Sequence, residues 1–169
     1  MKHRLLYILP IILLSISSCE DNRLEGMVPD TLYIVQAGDI VQAGVEDVFV
    51  NKKDYADFTI SVYKSGIGDV SASAQIVVDS EMVDKYNAQN GTSFELLPDV
   101  CYTISKTNFE LSPSTVYRNS TITFDGTILS KYQSVGVKKY ILPIKLVSNN
   151  DGIEVQEKRD AVLLIPVLE

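Results

Sequence analysis

Residues 58–63 read Phe-Thr-Ile-Ser-Val-Tyr, so the apolar Phe58, Ile60 and Val62 alternate with hydroxyl-bearing residues. A period of two sends successive side chains to opposite faces of a β-strand. The segment therefore predicts a strand with one face in an apolar core and the other toward water. This pattern decides the fold class, because similar segments recur on both sides of it.

The other predicted strands are short runs rich in β-branched and aromatic residues, separated by turn-forming residues. Spaced short strands of this kind are typical of an antiparallel sandwich. We therefore expect an all-β fold, an antiparallel β-sandwich. The additional runs are Thr31–Val35, Val45–Val50, Ala72–Val78, Cys101–Ile104, Asn108–Leu111, Val116–Phe124, Tyr140–Val147 and Ala161–Leu168.

One segment departs from the strand pattern and predicts a short inserted helix. Met82, Val83 and Tyr86 recur at helical spacing, which places them on one buried face. Ser80 is a candidate cap at the start, and Gly91 suits the end.

Two prolines, Pro143 and Pro166, interrupt apolar runs. Proline has no N–H to donate to a neighbouring strand. We therefore expect both residues at edge or bulge positions.

Composition limits the possible functions. The chain has 169 residues, 46% of them hydrophobic, which suits one domain with a real core. A net charge of −7 argues against a nucleic-acid partner, whose phosphates require clustered Lys and Arg.

The N-terminus has the layout of a secretory signal peptide. Residues 1–19 read MKHRLLYILPIILLSISSC, a basic start, an apolar run and a small-residue end. A buried N-terminal helix is the alternative. Ile16-Ser17-Ser18-Cys19 resembles the bacterial lipobox, which implies cleavage after Ser18 and acylation of Cys19 with lipid chains such as palmitate. Ordinary cleavage nearby, with Cys19 as a free or bridged thiol, is the other interpretation.

These patterns divide the chain into three parts. Residues 1–18 form the predicted lipoprotein signal peptide, residues 19–30 a polar tether, and residues 31–169 a single β-sandwich domain. We see no internal repeat and no low-complexity tract.

A second motif carries a family resemblance. Residues 86–94 read Tyr-Asn-Ala-Gln-Asn-Gly-Thr-Ser-Phe, with Leu97-Pro98 and Tyr102 after them, and residues 140–144 read Tyr-Ile-Leu-Pro-Ile. Together they resemble the Bacteroidetes lipoprotein domain of unknown function 1735, the N-terminal domain of many glycan-utilisation lipoproteins and family-18 glycosidases. The resemblance covers about residues 32–168 and implies an immunoglobulin-like β-sandwich.

The same resemblance bears on localisation. In Bacteroidetes lipoproteins, acidic residues directly after the lipidated cysteine resemble a surface-export signal, and Glu20 and Asp21 occupy those positions. The resemblance therefore implies that the protein is anchored by lipid in the outer membrane and faces the cell surface. The periplasmic leaflet is the alternative.

Few residues point to catalysis, so we expect no enzyme and no cofactor. The only histidine is His3, within the predicted signal peptide, so the mature chain would lack the usual base of a nucleophilic triad. Cys101 in a strand is most simply a small buried residue, and it would have no partner for an internal disulfide if Cys19 is lipidated. Asp79, Glu81 and Asp84 could act as a carboxylate pair, but a solvated helix face is the simpler interpretation.

Two further sites are suggested by short motifs. Asn149-Asn150-Asp151-Gly152 is either an ordinary turn, which we favour, or a calcium ligand set. Asp30-Thr31-Leu32 fits a short motif for O-glycosylation on Thr31. We expect no metal.

Candidate glycan contacts are tyrosines, because the sequence contains no Trp. Tyr55, Tyr63, Tyr117 and Tyr132 are the candidates, although half-buried strand tyrosines are the default. The favoured function is a non-enzymatic, lipid-anchored module that acts as adhesion, spacer or accessory component of a glycan-acquisition system. Its partners would be polysaccharide or outer-membrane glycan-uptake proteins. The alternative is a surface protein that captures polysaccharide directly.

Overall fold

The computed structural model describes residues 29–37, 44–66 and 70–169. The predicted signal peptide, the predicted lipidation site Cys19 and the tether up to residue 28 lie outside these ranges. Strands dominate the described part of the chain, joined by two short helices. The elements are β1 Thr31–Ile34, β2 Gly44–Val50, β3 Tyr55–Ser65, β4 Ala72–Val78, α1 Glu81–Asn90, β5 Glu95–Leu96, β6 Tyr102–Ile104, β7 Asn108–Leu111, β8 Tyr117–Asp125, α2 Gly126–Leu129, β9 Tyr140–Ser148, β10 Glu154–Val155 and β11 Ala161–Leu168.

The strands form two sheets that enclose a common core. One sheet has the order β10-β1-β3-β8-β6, and the other has the order β2-β11-β9-β4-β7, with β5 paired to the start of β9. The central trios β1-β3-β8 and β11-β9-β4 correspond to strands A-B-E and G-F-C of an immunoglobulin sandwich. The predicted immunoglobulin-like β-sandwich is confirmed.

The sheets are not wholly antiparallel, which corrects one detail of the prediction. β2 runs parallel to β11, β1 parallel to β10 and β5 parallel to β9. The N-terminal part of the chain contributes β1 to one sheet and β2 to the other. β2 therefore lies beside the last strand and runs in the same direction.

The core lies between the sheets and is built from the inward positions of the alternating strands. Phe109 from β7 and Phe124 from β8 are its largest fully buried side chains. Ile60 and Val62, predicted to face inward, are fully buried. Burial of each such side chain contributes roughly 1.5–3 kcal/mol.

A second apolar layer covers the outer face of the six-stranded sheet. Val83 of α1 packs against Leu163, Ile165 and Val167 of β11, with Ile141 of β9 beside them. β11 is therefore buried on both faces. This explains why residues 161–168 are continuously apolar rather than alternating.

The helix predicted after β4 is present, but one predicted cap is wrong. The Ser80 side chain makes no capping hydrogen bond, whereas Oδ1 of Asp79 accepts one from the Glu81 amide. Asp79 reaches the first turn because it leaves β4 directly beneath the helix. Gly91 ends α1 in the left-handed conformation, with φ 65°, as predicted.

The second helix, α2, was not predicted. It is a single turn that follows β8 directly, with Oδ1 of Asp125 accepting a hydrogen bond from the Ile128 amide. One turn is too short to show a helical period in the sequence. Neither helix in the described ranges is long and apolar enough to span a membrane.

Pro143 and Pro166 lie in β9 and β11, which have neighbours on both sides, and the register runs through each proline without a bulge, so the prediction of edge or bulge positions is wrong. The local pairing explains how the sheet accommodates them. The Pro143 carbonyl accepts from the Asp79 amide where β4 ends, and the Asp79 carbonyl is already bonded to the Met82 amide. The pairing of β11 with β9 stops at Leu164, before Pro166.

Candidate functional site

The outer face of the five-stranded sheet is polar and faces water. From Ile60 onward in β3 and from Ser120 onward in β8 the inward residues are buried, whereas the outward residues of both strands are half-buried or exposed. These outward positions include Thr59, Ser61, Thr121 and Thr123. Unlike the other sheet, whose outer face packs against α1, this face carries no helix in the described part of the chain. It is the natural place to look for a binding surface.

Three tyrosines form a row across one end of this face. Tyr33 of β1 is paired with Tyr63 of β3, and Tyr63 is paired with Tyr117 of β8. Directly paired residues point to the same side of a sheet. We call these three residues the tyrosine row. Adjacent strands lie about 4.8 Å apart, so the row spans about 10 Å, comparable with the length of a disaccharide.

The rings of the row differ in how firmly they are packed. Tyr33 and Tyr63 are half-buried, with ring centroids 5.2 Å apart and planes inclined by 39°. Such tilted pairs are favourable because the positive edge of one ring meets the negative face of the next. Tyr117 is 57% exposed. The row therefore presents one free ring beside two fixed rings.

A guanidinium group lies at the Tyr33 end of the row, away from Tyr117. The Cζ atom of Arg159 lies 3.8 Å from the centroid of the Tyr33 ring, a cation–π contact. Arg159 follows β10 and precedes β11, and its carbonyl accepts a hydrogen bond from the Ile34 amide. The loop that carries Arg159 is thus fastened to the edge of β1.

Hydrogen-bonding side chains flank the row along the strands. The side-chain amide of Gln36 forms two hydrogen bonds with Ser61. Its Oε1 accepts from the Ser61 backbone N–H at 2.8 Å, and its Nε2 donates to the Ser61 hydroxyl at 3.3 Å. On the other side, the hydroxyls of Thr31 and Ser65 are 2.7 Å apart. The combination of aromatic faces and polar flanks can accept a ligand that has both C–H surfaces and hydroxyl groups.

The structure brings together two of the four predicted glycan-contact tyrosines. Tyr63 and Tyr117 belong to the row. Tyr55 is 67% exposed on the same strand as Tyr63, but eight residues away, which is roughly 27 Å at about 3.4 Å per residue. Tyr132 is 41% exposed in the segment after α2, outside the sheet.

Two members of the site were missed at the sequence level. Tyr33 lies between Leu32 and Ile34, both fully buried, so a period of two would have placed it on the outer face. Arg159 lies in a turn, and no local pattern links it to Tyr33.

The tyrosine–asparagine motif has an architectural role. Oδ1 of Asn87 accepts hydrogen bonds from the Phe94 amide and the Thr92 hydroxyl, and Nδ2 of Asn87 donates to the Phe94 carbonyl, each at 2.8 Å. The Tyr86 ring packs on Phe94 at 5.9 Å, within the layer around Val83. Tyr86 is half-buried rather than fully buried as predicted. The motif folds the chain back onto the six-stranded sheet.

Of the carboxylates considered as a catalytic pair, two are engaged by lysines and the third is exposed. Glu81 and Asp84 are exposed on α1, and Glu81 forms an ion pair with Lys85 at 3.5 Å. Asp79 pairs with Lys145 at 3.3 Å. This is the solvated arrangement that the sequence favours.

The Asn149–Gly152 segment is a turn, as favoured from the sequence. Gly152 adopts a φ of 91°, and the Asn149 amide donates to the Ser73 carbonyl at 2.8 Å. No group of three or more His, Cys, Asp or Glu side chains that could hold a metal occurs within residues 29–37, 44–66 and 70–169.

Cys101 and Thr31, both singled out from the sequence, differ in burial. Cys101 is fully buried, as predicted, in a 3-10 turn before β6 rather than in the strand itself. Burial, and then the carboxylates of Asp125 and Asp99, raise the pKa of its thiol. Thr31 is half-buried in β1 between β10 and β3.

A family model described as an N-terminal domain matches residues 28–153 of the chain. A search of curated proteins gives no match.

Several solved structures share the fold. One is a candidate carbohydrate-binding protein from Bacteroides ovatus, with a TM-score of 0.59 and 18% identity over 81% of this chain and 36% of that one. Another is EndoBT-3987 of Bacteroides thetaiotamicron with a Man5GlcNAc product, with a TM-score of 0.59 and 15% identity over 81% of this chain and 30% of that one.

A third structure is a multidomain protein from Bacteroides ovatus that includes domain of unknown function 1735. Its TM-score is 0.53, with 17% identity over 75% of this chain and 41% of that one. The chain therefore spans less than half the length of these three proteins.

Proposed function

The chain belongs to the family of N-terminal domains that includes domain of unknown function 1735 in Bacteroides proteins, and on that premise we propose that it is a non-catalytic glycan-binding module of the cell envelope. The carbohydrate-binding and endoglycosidase relatives support a role near glycans. The activity of those longer proteins is not transferred with the fold, because function resides in sites rather than in folds.

The observation that carries the proposal is the tyrosine row. A pyranose ring presents a face of C–H bonds and a girdle of hydroxyls. The C–H face stacks on an aromatic ring, and Tyr117 offers such a ring to solvent. The hydroxyls would meet the flanking polar groups of Ser61, Asn119 and Ser65, whose register with the row places them on the same face. Tyr33 and Tyr63 are held by each other and by β-sheet pairing, so little side-chain entropy is lost on binding.

We further propose that the module is anchored through Cys19 to the outer membrane and displayed on the cell surface. The lipobox-like Ile16–Cys19 segment and the acidic Glu20 and Asp21 support this proposal. Two or more acyl chains give stable anchoring where one gives only reversible binding. A glycan-binding surface carried in this way would hold polysaccharide next to outer-membrane uptake proteins.

The proposal that the module is non-enzymatic rests on its chemistry. The sequence contains one histidine, His3, which is remote in sequence from every described strand. The tyrosine row holds no carboxylate pair. Tyr33, Tyr63 and Tyr117 can orient a sugar, but they supply neither an acid nor a nucleophile suited to glycoside cleavage in the usual two-carboxylate manner.

The second candidate function is that of an adhesion or spacer module that presents itself to protein partners. The architectural role of the Asn87 motif favours it, because the most distinctive motif of the chain is used to build the domain rather than to bind. In that case the tyrosine row would only stabilise the sheet through packing between neighbouring strands and would bind no glycan.

A glycan-array screen separates the two functions. The protein to use is a soluble form beginning at Asn22, which retains every described residue. We expect binding to at least one polysaccharide, and loss of most of that binding in Tyr117→Ala. The matched control is Tyr55→Ala, which removes a similarly exposed tyrosine from the same sheet face outside the row.

Two results would overturn the glycan-binding proposal. One is the absence of binding to any glycan on a broad array by the correctly folded protein. The other is equal loss of binding in Tyr117→Ala and Tyr55→Ala, which would show that the row has no special part.

A further inference from the structure

Among the described residues, Arg159 is the arginine whose guanidinium stacks on the tyrosine row. Its Cζ atom lies 3.8 Å from the Tyr33 ring centroid, and its Nε atom is buried without a hydrogen-bond partner. A guanidinium has five N–H donors in a planar fork. Stacking on Tyr33 uses the face of that plane, and because Nε is buried, the donors left for a ligand are those of the two terminal Nη atoms.

No carboxylate in the described part of the chain forms an ion pair with Arg159. Glu154 lies at the same end of this face, in register with Thr31 of β1, and Glu157 and Asp160 lie in the loop of Arg159, but none of the three forms an ion pair with it. Asp57 is six residues along β3 from Tyr63, roughly 20 Å away, and accepts a hydrogen bond from Thr123. Asp125 caps α2. Arg159 therefore has no ion-pair partner among the described residues, although acidic residues lie in its own loop and on β10.

The backbone holds Arg159 in place before any ligand arrives. The Gln156 amide donates to the Leu32 carbonyl at 2.7 Å, and the Ile34 amide donates to the Arg159 carbonyl at 2.9 Å. These two hydrogen bonds attach the loop to β1 at the residues directly before and after Tyr33. Because this backbone is already fixed, Arg159 loses little conformational entropy when a ligand binds.

We propose that the tyrosine row selects anionic glycans, whose carboxylate or sulfate group is received by the Arg159 guanidinium while the sugar ring stacks on the tyrosines. The proposal rests on the glycan-binding function and names the class of ligand. Arginine suits this role because its fork meets two oxygens of a carboxylate or sulfate at once. The net charge of −7 repels polyanions in general, so the selection has to be local to Arg159.

The test compares matched charged and neutral ligands. Methyl esterification of oligogalacturonate removes its carboxylate charge and adds only a methyl group per ester, and dextran sulfate differs from dextran by its sulfate groups. Isothermal titration of the soluble protein should give at least about tenfold tighter binding to the charged member of one pair, as expected for a charged hydrogen bond. The preference should weaken with added salt. A preference within the galacturonate pair indicates carboxylate recognition, and a preference within the dextran pair indicates sulfate recognition.

Two variants locate the effect. Arg159→Gln should remove the preference, so that the charged ligand binds no more tightly than its neutral partner. Arg159→Lys, which keeps the charge but loses the planar fork, should retain only part of the preference. Thermal unfolding of each variant shows whether its fold is intact, and the wild-type comparison does not depend on either variant.

The outcomes separate this inference from the function on which it rests. Binding that needs Tyr117 but is equal for charged and neutral ligands would overturn the inference and leave glycan binding intact. A charge preference that survives in a folded Arg159→Gln would also overturn it. No binding to any of the four ligands or to a broad array would overturn the proposed function itself.

Discussion

Tyr33 and Tyr63 lie directly opposite each other on β1 and β3, with their ring centroids 5.2 Å apart. This pairing joins the outer positions of two strands that are distant in the sequence. Tyr117 is in register with Tyr63 on the next strand, so the three tyrosines lie side by side on one surface. The functional proposals depend on that register.

The difference in burial along the row predicts a difference in stability. Tyr33→Ala removes a half-buried ring that packs on Tyr63 and Arg159, and should lower the free energy of unfolding by about 1–3 kcal/mol. Tyr117→Ala removes an exposed ring and should change it by no more than about 0.5 kcal/mol. Urea unfolding curves measure both. Equal losses in the two variants would contradict the packing described for the row.

Asn87 is predicted to stabilise the fold rather than bind a ligand. Asn87→Ala leaves the amide and carbonyl of Phe94 without their partner and should cost about 2–3 kcal/mol. Asn90→Ala is the matched control, because Asn90 makes one exposed hydrogen bond to the Tyr86 carbonyl, and it should cost less than about 1 kcal/mol. If Asn87→Ala unfolds like the wild type but loses glycan binding, the motif is a binding site after all.

The strands could be predicted from the sequence because each carries its own period of two or its own apolar run. The alternation of Phe58, Ile60 and Val62 needs no knowledge of neighbouring strands. The Tyr33–Tyr63 contact could not be predicted in this way, since strand order and register depend on residues far apart in the sequence. The same limit applies to Arg159, whose position on Tyr33 follows from a loop fastened to β1.

The prolines show where a local rule gives the wrong position. Proline lacks an N–H in any strand, which is why Pro143 and Pro166 are expected at edges or bulges. Their strands are central, and the ladder tolerates them because the neighbouring strand ends or diverges at each proline. Such endings are set by the tertiary fold.

The Cys101 thiol should be nearly inert in the folded protein. It is fully buried and burial raises its pKa, so little reactive thiolate forms near neutral pH. A thiol reagent should label it slowly under native conditions and rapidly in urea. Because the folded state keeps the thiol protonated while the unfolded state releases the proton above about pH 9, stability should fall as the pH rises past that value. Rapid native labelling would contradict the core position.

The lipid anchor is tested by Cys19→Ala. Without the sulfur that carries the lipid, the full-length protein should leave the detergent phase of a phase-separation assay or accumulate unprocessed. Cys101→Ala is the control and should stay in the detergent phase. A Cys19→Ala protein that partitions and migrates like the wild type would refute acylation at this residue.

The most direct test of the central claim is a nuclear magnetic resonance titration that follows the tyrosine rings individually. The soluble protein, with isotope-labelled tyrosine, is titrated with the glycan that binds most strongly on the array. The account predicts that the ring signals of Tyr33, Tyr63 and Tyr117 shift together along one saturation curve, while those of Tyr55 and Tyr132 stay unchanged. Saturable binding that leaves the row unshifted, or that shifts Tyr55 or Tyr132 instead, would contradict the claim that the tyrosine row is the binding surface.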